Sequence, residues 1–225
     1  MQASDRLIVA ADLSSRDEIL ALADEMSGIA GVIKIGLQAF VANGPSLVRE
    51  VAGRGVNIFL DLKLHDIPNT VKNAIREVEK LGVMMVTVHA SGGAPMLRAA
   101  VSDKVLVLGV TVLTSLDDEA IREIGFAGDV MSIVPRLALL AQQSGLRGVV
   151  ASPLEIRAIR EVCGTTLTIV APGVRPAGAD RGDQARTMTP HEAIAAGADY
   201  VVVGRPITEK KNRREAAVRI IEEMV

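Results

Sequence analysis

The residues best suited to chemistry lie in one short segment that contains Asp61, Lys63 and Asp66. The segment follows residues 56–60, an apolar run that predicts a buried strand. Residues two apart on a strand point to the same side, so we expect Asp61 and Lys63 to share a face. Carboxylates on both sides of a lysine favour its ammonium form in a pocket that would otherwise remove the proton. The segment therefore predicts a proton donor held ready by paired charges.

A second lysine, Lys34, lies within the apolar run 32–36, which also predicts a strand. A lysine at the end of a strand can extend its ammonium into solvent, and that interpretation stays open for Lys34 taken alone. Together with Asp61 and Lys63, Lys34 favours a network in which alternating charges keep one another ionised. Asp12, after the first predicted strand, can cap the next helix and can accept a hydrogen bond from a sugar hydroxyl, and the two roles are not exclusive.

Two segments nearer the C-terminus have the features of a phosphate site. Gly204 and Arg205 follow the last predicted strand, where backbone N–H groups and a guanidinium can bind phosphate oxygens. An arginine that begins an ordinary surface helix is the alternative. The preceding loop, residues 172–186, is fifteen residues long and carries Arg175 and Gln184. Loops of that length inside a domain are usually functional or disordered, so we predict a lid that closes over the phosphate.

Short apolar runs alternate with amphipathic segments over the whole chain, residues 1–225. Continuous apolar strands between helices indicate a parallel sheet that helices cover. Eight such units predict a single-domain α/β protein of the (β/α)8 TIM-barrel class. The competing doubly wound sheet predicts a glycine-rich turn after the first strand, where Ala11, Asp12 and Leu13 stand instead. The predicted strands are 7–11, 32–35, 56–60, 84–88, 105–112, 148–151, 168–171 and 200–203.

Polar residues and glycines follow the predicted strands at their carboxyl ends, the rim where barrel enzymes have their active sites. These residues are Asp12, Lys34, Asp61, Lys63, His89, Thr111, Gly173 and Gly204. Histidines such as His65 and His89 more often orient or pack than catalyse, and we leave both outside the predicted site. No His, Cys or Glu cluster has the spacing of metal ligands, and a lysine beside the carboxylates would compete with a cation. The sequence therefore predicts a rim site without a metal.

Composition limits the partners that we expect. A formal net charge of −2 gives no general attraction for nucleic acid, and one Tyr, three Phe and no Trp leave few platforms for stacking bases. The single cysteine allows no intrachain disulfide. No apolar run reaches the ~18 residues of a membrane span and no signal peptide is visible. We therefore expect a soluble, cytoplasmic protein that binds neither nucleic acid nor membrane.

The motifs and their order resemble those of the bacterial orotidine 5′-monophosphate decarboxylase family across essentially the whole chain. The ten residues 61–70 are close to diagnostic of that family. The other matching motifs are Ala11-Asp12, Lys34-Ile-Gly36, Val88-His-Ala-Ser-Gly-Gly93, Val112-Leu-Thr-Ser115, Pro172-Gly-Val-Arg-Pro176, Gly182-Asp-Gln184 and Gly204-Arg-Pro-Ile-Thr208.

The resemblance implies a homodimeric barrel that converts orotidine 5′-monophosphate to UMP and CO2 without a cofactor, the last step of de novo pyrimidine nucleotide synthesis. It implies that Lys63 protonates C6 of the pyrimidine, that Asp61 lies against the substrate carboxylate, and that Lys34 bridges the ribose and the carboxylates. Asp66 completes this catalytic set and, with Thr70, reaches across the dimer into the partner subunit's site. The remaining implied contacts are a ribose hydroxyl for Asp12, the pyrimidine for Thr114, and the phosphate for Arg175, Gln184, Gly204 and Arg205.

Two alternatives differ in chemistry from this expectation. Metal-dependent sugar-phosphate decarboxylases or aldolases of the same superfamily share the Asp-x-Lys-x-x-Asp pattern but carry a metal-binding Glu where this chain has Lys34. Insensitivity to a chelator would separate them from a cofactor-free enzyme. A barrel that only binds nucleotide would typically have lost a charged group, whereas the whole set is present: Lys34, Asp61, Lys63 and Asp66.

Overall fold

The computed structural model describes residues 1–176 and 188–225, and in it eight parallel strands close into one barrel in chain order. The strands are β1 (Leu7–Ala10), β2 (Val32–Gly36), β3 (Asn57–Leu64), β4 (Met85–His89), β5 (Leu106–Val110), β6 (Gly148–Val150), β7 (Thr168–Ala171) and β8 (Tyr200–Val203). The first and last strands pair with each other, with Val9 opposite Val203. The (β/α)8 TIM barrel is therefore confirmed, and the doubly wound sheet is wrong.

Helices alternate with the strands along the chain. They are α1 (Ala3–Arg6), α2 (Arg16–Met26), α3 (Leu37–Ala52), α4 (Pro68–Glu79), α5 (Gly93–Ala100), α6 (Asp118–Glu123), α7 (Val130–Gln143), α8 (Ile156–Cys163), α9 (Pro190–Ala196), α10 (Arg205–Thr208) and α11 (Arg213–Glu223), with 3-10 turns at Ala90–Gly92 and Pro153–Glu155. Among the described residues, none of these helices combines the length and the apolar character needed to cross a membrane.

The strands are buried on both faces because most of them are continuous apolar runs rich in β-branched residues. Alternate side chains fill the inside of the barrel, among them Phe59, Met85 and Val170. The side chains between them, such as Ile33 and Leu60, pack in the larger core that includes the buried faces of the helices. Because all strands run in the same direction, their carboxyl ends meet at one rim, and the polar residues that follow them are gathered there.

Two elements depart from the expected regular geometry. Strand β3 does not end at residue 60 but continues to Leu64, through the charged segment itself. Helix α3 is interrupted at Gly44, which has φ +67°, and Pro45 follows directly. Glycine tolerates the positive φ, and the proline lacks the N–H that a continuous helix would use, so the chain bends at this pair.

Candidate active site

A cavity of about 510 Å³ opens at the rim formed by the carboxyl ends of the strands. Its size is within the range of small-molecule sites, which is roughly 300–1,000 Å³. Apolar side chains of the barrel interior line it, Phe59 and Val202 among them, so the interior core forms part of the cavity wall. The charged residues that line it are Asp12, Lys34, Asp61, Lys63, Arg175, Arg205 and Glu209.

Four of these side chains form a row of alternating charge. Lys34 Nζ donates to Asp12 Oδ1 at 2.8 Å and lies 3.8 Å from Asp61 Oδ2. Lys63 Nζ donates to both carboxylate oxygens of Asp61 at 2.9 Å. The Lys34 and Asp61 side chains are only 11% and 14% exposed, and charges so far removed from water need partners. The structure thus brings these residues together as the sequence predicts, and Lys34 does not extend into solvent.

Lys63 reaches Asp61 through an irregularity of β3. Between consecutive register pairs, the chain advances by four residues on β3 and by two on β4, which leaves residues 61–63 opposite the single residue Thr87. Lys63 has φ +52°, the one positive value at a non-glycine residue in the described part of the chain. The conformation costs about 1–2 kcal/mol in an L-residue. The shared face of Asp61 and Lys63 therefore arises from a β-bulge, not from the regular alternation that we expected.

Thr87 on β4 is a residue of this site that the sequence analysis missed. Its side chain is completely buried. Its Oγ1 accepts a hydrogen bond from the backbone N–H of Lys63 at 2.8 Å and donates one to Asp61 Oδ1 at 2.9 Å. A threonine within an apolar strand suits β-propensity alone, so it did not stand out. The available signal was a hydroxyl in the middle of the strand that follows the charged segment.

Asp12 does not cap the following helix, so that interpretation is wrong. The N-cap of α2 is Ser15, whose hydroxyl accepts from the N–H of Glu18 at 3.4 Å. The Asp12 carboxylate instead accepts from Lys34. Gly36, at the end of β2, leaves room for that ion pair, because a Cβ there would lie 2.9 Å from both Asp12 Oδ1 and Lys34 Nζ.

The residues predicted at the phosphate and pyrimidine positions line the same cavity where the structure describes them. Thr114, Arg175, Gly204 and Arg205 all belong to its wall. Gly204 is the N-cap of α10 and Arg205 is its first residue, so backbone N–H groups of a helix start lie beside the guanidinium. Gln184 and most of the predicted lid fall outside the described residues.

Asp66 and Thr70 are not brought into this cavity. Both are exposed, in the loop after β3 and in the first turn of α4, and neither belongs to the cavity wall. Between them, Ile67 is 67% exposed, which is a large apolar side chain to leave in water. Two of the predicted site residues therefore lie on the outer surface of their own chain.

Two histidines lie next to the charged row. The rings of His65 and His89 have centroids 5.4 Å apart and are tilted by 43°. Burial lowers the pKa of His89 below its ordinary value, the nearby His65 and Lys63 lower it further, and Asp61 opposes them. The neutral imidazole is therefore the favoured form of His89.

The arrangement is suited to one kind of chemistry. A helix start and arginines in the cavity wall can bind a phosphorylated ligand, and an ammonium in the same wall can donate a proton. Across residues 1–176 and 188–225, no group of three or more His, Cys, Asp or Glu side chains is arranged to hold a metal ion.

Known proteins of one family match this chain over nearly its full length. The profile of the orotidine 5′-phosphate decarboxylase / HUMPS family matches residues 5–220. Orotidine 5′-phosphate decarboxylase of Moorella thermoacetica is 51% identical over 100% of this chain and 94% of its own, and that of Heliobacterium modesticaldum is 49% identical over 100% and 97%. The crystal structure of orotidine 5′-phosphate decarboxylase from Lactobacillus acidophilus superposes with a TM-score of 0.84 at 33% identity, covering 97% of this chain and 98% of that one.

Proposed function

This chain belongs to the orotidine 5′-phosphate decarboxylase / HUMPS family, and we propose that its rim cavity converts orotidine 5′-monophosphate to UMP and CO2 by proton donation from Lys63. The protein is a carboxy-lyase of pyrimidine nucleotide synthesis. The observation that carries the proposed mechanism is the row of alternating charge, in which the Lys63 ammonium is held by two 2.9 Å hydrogen bonds to Asp61.

The substrate lies across the cavity with its phosphate at the start of α10. Arg205, the N–H groups after Gly204, Arg175 and Gln184 bind the phosphate oxygens, because a guanidinium and a helix start both favour anions. Asp12 and Lys34 bind ribose hydroxyls. Thr114, on the wall of the same cavity, contacts the pyrimidine.

The reaction breaks the bond between C6 and its carboxylate carbon. CO2 leaves, the electron pair stays on C6, and the Lys63 ammonium transfers a proton to that carbon to form UMP. The pair is localised on a ring carbon with little resonance relief, so stabilisation must come from charges already in position. Lys34 and Lys63 supply positive charge on either side of Asp61. Lys63 then recovers a proton from solvent.

No cofactor takes part in this mechanism, because the leaving carboxylate, the developing carbanion and the proton are all handled by side chains. The metal-dependent alternative is not favoured. In that class a Glu stands where this chain has Lys34, and here the Lys34 ammonium donates a hydrogen bond to Asp12. The curated relatives also carry the name orotidine 5′-phosphate decarboxylase.

The active unit is a homodimer in which Asp66 and Thr70 enter the partner subunit's cavity. Their exposure, away from their own cavity, and the exposed Ile67 between them support this arrangement. Covering this exposed apolar side chain with a second copy of the chain removes apolar surface from water and therefore stabilises the dimer. The enzyme works in the cytoplasm, because a nucleotide phosphate does not cross a bilayer unaided.

The decisive assay follows decarboxylation of orotidine 5′-monophosphate by its UV absorbance in the presence of EDTA. The unchanged protein should turn over, and Lys63→Ala should reduce kcat by at least about 1,000-fold, the scale of a lost general acid combined with lost charge stabilisation. Lys80→Ala is the matched control. Its ammonium pairs with Glu77 on the surface of α4, and its loss should leave kcat unchanged.

Absence of turnover by the folded, unchanged protein would overturn the assignment, and sugar phosphates with Mg2+ would be the next substrates to test. Turnover that disappears with EDTA would overturn the cofactor-free mechanism. Turnover retained by Lys63→Ala would assign the proton to another donor.

A further inference from the structure

The β-bulge must be held in place by a residue other than the four charged residues of the row. Three residues of β3 lie opposite one residue of β4, so the regular ladder of backbone hydrogen bonds is interrupted where Lys63 and Asp61 must be held. Lys63 also has the strained φ of +52°. Such conformations persist only where the surroundings determine them, and here Thr87 is the residue opposite.

The Thr87 hydroxyl forms one hydrogen bond as an acceptor and one as a donor, each with a different residue of the site. A hydroxyl has one proton to donate and two lone pairs that can accept. The Lys63 N–H donates to Oγ1 at 2.8 Å, and the hydroxyl donates its proton to Asp61 Oδ1 at 2.9 Å. Because Thr87 is completely buried, water does not compete for these bonds.

Proton transfer makes this anchor necessary. In the structure, Asp61 is held by Lys63 Nζ at both oxygens, whereas Lys34 Nζ is 3.8 Å away. Delivery of a proton to a substrate carbon requires that ammonium to move towards the carbon, which weakens its bonds to Asp61. The bond from Thr87 does not depend on the position of the ammonium.

We propose that Thr87 is a positioning residue for the decarboxylation, whose buried hydroxyl fixes the Asp61 carboxylate and the backbone of Lys63 while the Lys63 ammonium moves to the substrate. The inference rests on the proposed function of this cavity. Thr87 does not belong to the cavity wall, so it acts through its two neighbours and not on the substrate.

Two pairs of variants isolate the hydroxyl. Thr87→Val keeps the β-branched shape and removes the hydroxyl relative to the unchanged protein. Thr87→Ser and Thr87→Ala both lack the methyl group and differ from each other in the hydroxyl. In each pair, loss of the hydroxyl should lower kcat by about 100-fold, the scale of a lost preorganised hydrogen-bond donor. The Ser/Ala pair decides the question if Thr87→Val does not fold.

A second readout separates positioning from a general loss of structure. UMP lacks the carboxylate but keeps the phosphate and ribose, so its inhibition constant should stay within about 3-fold in every folded variant, while kcat falls. Thr111→Val is the control. Thr111 is a buried threonine on the next strand's end, its hydroxyl donates to the Val150 carbonyl at 3.1 Å, and it is not part of the cavity wall. Its kcat should remain that of the unchanged protein.

Equal kcat within either pair would overturn the inference, as would a parallel weakening of UMP inhibition and kcat. A kcat for Thr111→Val that falls as far as that for Thr87→Val would also overturn it. These outcomes are distinct from failure of the proposed function, because they require that the unchanged protein decarboxylates orotidine 5′-monophosphate.

Discussion

At the scale of single residues, the site depends on the absence of a side chain at Gly36 as well as on the charged side chains around it. The Lys34–Asp12 ion pair occupies the space in which a side chain at position 36 would lie. Gly36 has φ −90°, which any residue can adopt, so its requirement is for space and not for backbone freedom. A methyl group there must displace one of the two charged partners.

Gly36→Ala should therefore raise the KM for orotidine 5′-monophosphate by about 10-fold and lower kcat less, because Asp12 and Lys34 are the proposed ribose contacts. Steady-state kinetics measure both constants. Gly53→Ala is the control, since a Cβ at that helix end would approach nothing closer than 3.4 Å. Unchanged KM in Gly36→Ala would mean that the ion pair can shift without cost.

The hydrogen bonds of Thr87 to Asp61 and Lys63 could not be predicted from the sequence. Asp61 and Lys63 are two residues apart in the sequence, which predicts that they share a face, but the β-bulge that brings them together does not follow from that spacing. The partner of both is set by the register between β3 and β4, which is a property of two strands that are distant in sequence. The strained φ of Lys63 likewise results from that pairing and has no local signature.

At the scale of elements, the strands follow the sequence closely where they are regular. Strands β7 and β8 have the predicted bounds, because each is a short apolar run between turns. Strand β3 does not, because a bulge carries it through charged residues that alternation places after its end. The interruption of α3 could have been read from Gly44 and Pro45, which together disfavour a continuous helix.

The contact between the end of β4 and the loop after β3 makes stability depend on pH. The pKa of His89 is lowered in the folded protein by burial, then by His65 and Lys63, with Asp61 opposing. Below the ordinary value of 6.5, the unfolded chain therefore binds more protons at this residue. Because of this group, the free energy of unfolding rises with pH up to that value and falls on acidification.

Melting temperatures of the unchanged protein and of His89→Gln between pH 5 and 8 test this linkage. The unchanged protein should lose stability as the pH falls below 6.5, and His89→Gln should lose less over the same interval. His191→Gln, at the exposed start of α9, should follow the unchanged protein. Parallel curves for all three proteins would show that His89 is not responsible.

At the scale of the whole molecule, the closed barrel gathers the ends of eight strands at one rim but leaves Asp66 and Thr70 outside the cavity. The proposed homodimer resolves this, because each cavity would receive both residues from the other subunit. A site divided between subunits predicts complementation between variants that are inactive alone. Lys63→Ala and Asp66→Ala homodimers should each lose at least about 100-fold in kcat.

Random mixing of these two variants, by unfolding and refolding together, should restore activity to about a quarter of that of the unchanged protein. Half of the dimers are then mixed, and one of the two cavities in each mixed dimer has Lys63 from one subunit and Asp66 from the other. Lys63→Ala unfolded and refolded alone in the same way is the control, and its activity should not recover. No recovery in the mixed sample would place Asp66 outside the partner's site.

The conformation of Lys63 has a consequence for how this sequence can change. Glycine adopts a positive φ without the steric cost of a Cβ, whereas lysine at +52° carries about 1 kcal/mol or more of strain. Backbone fit and catalysis therefore make opposite demands on one codon. A redesign of this barrel that scored only backbone compatibility would place glycine at position 63, and the product would be a well-formed barrel without the proposed proton donor.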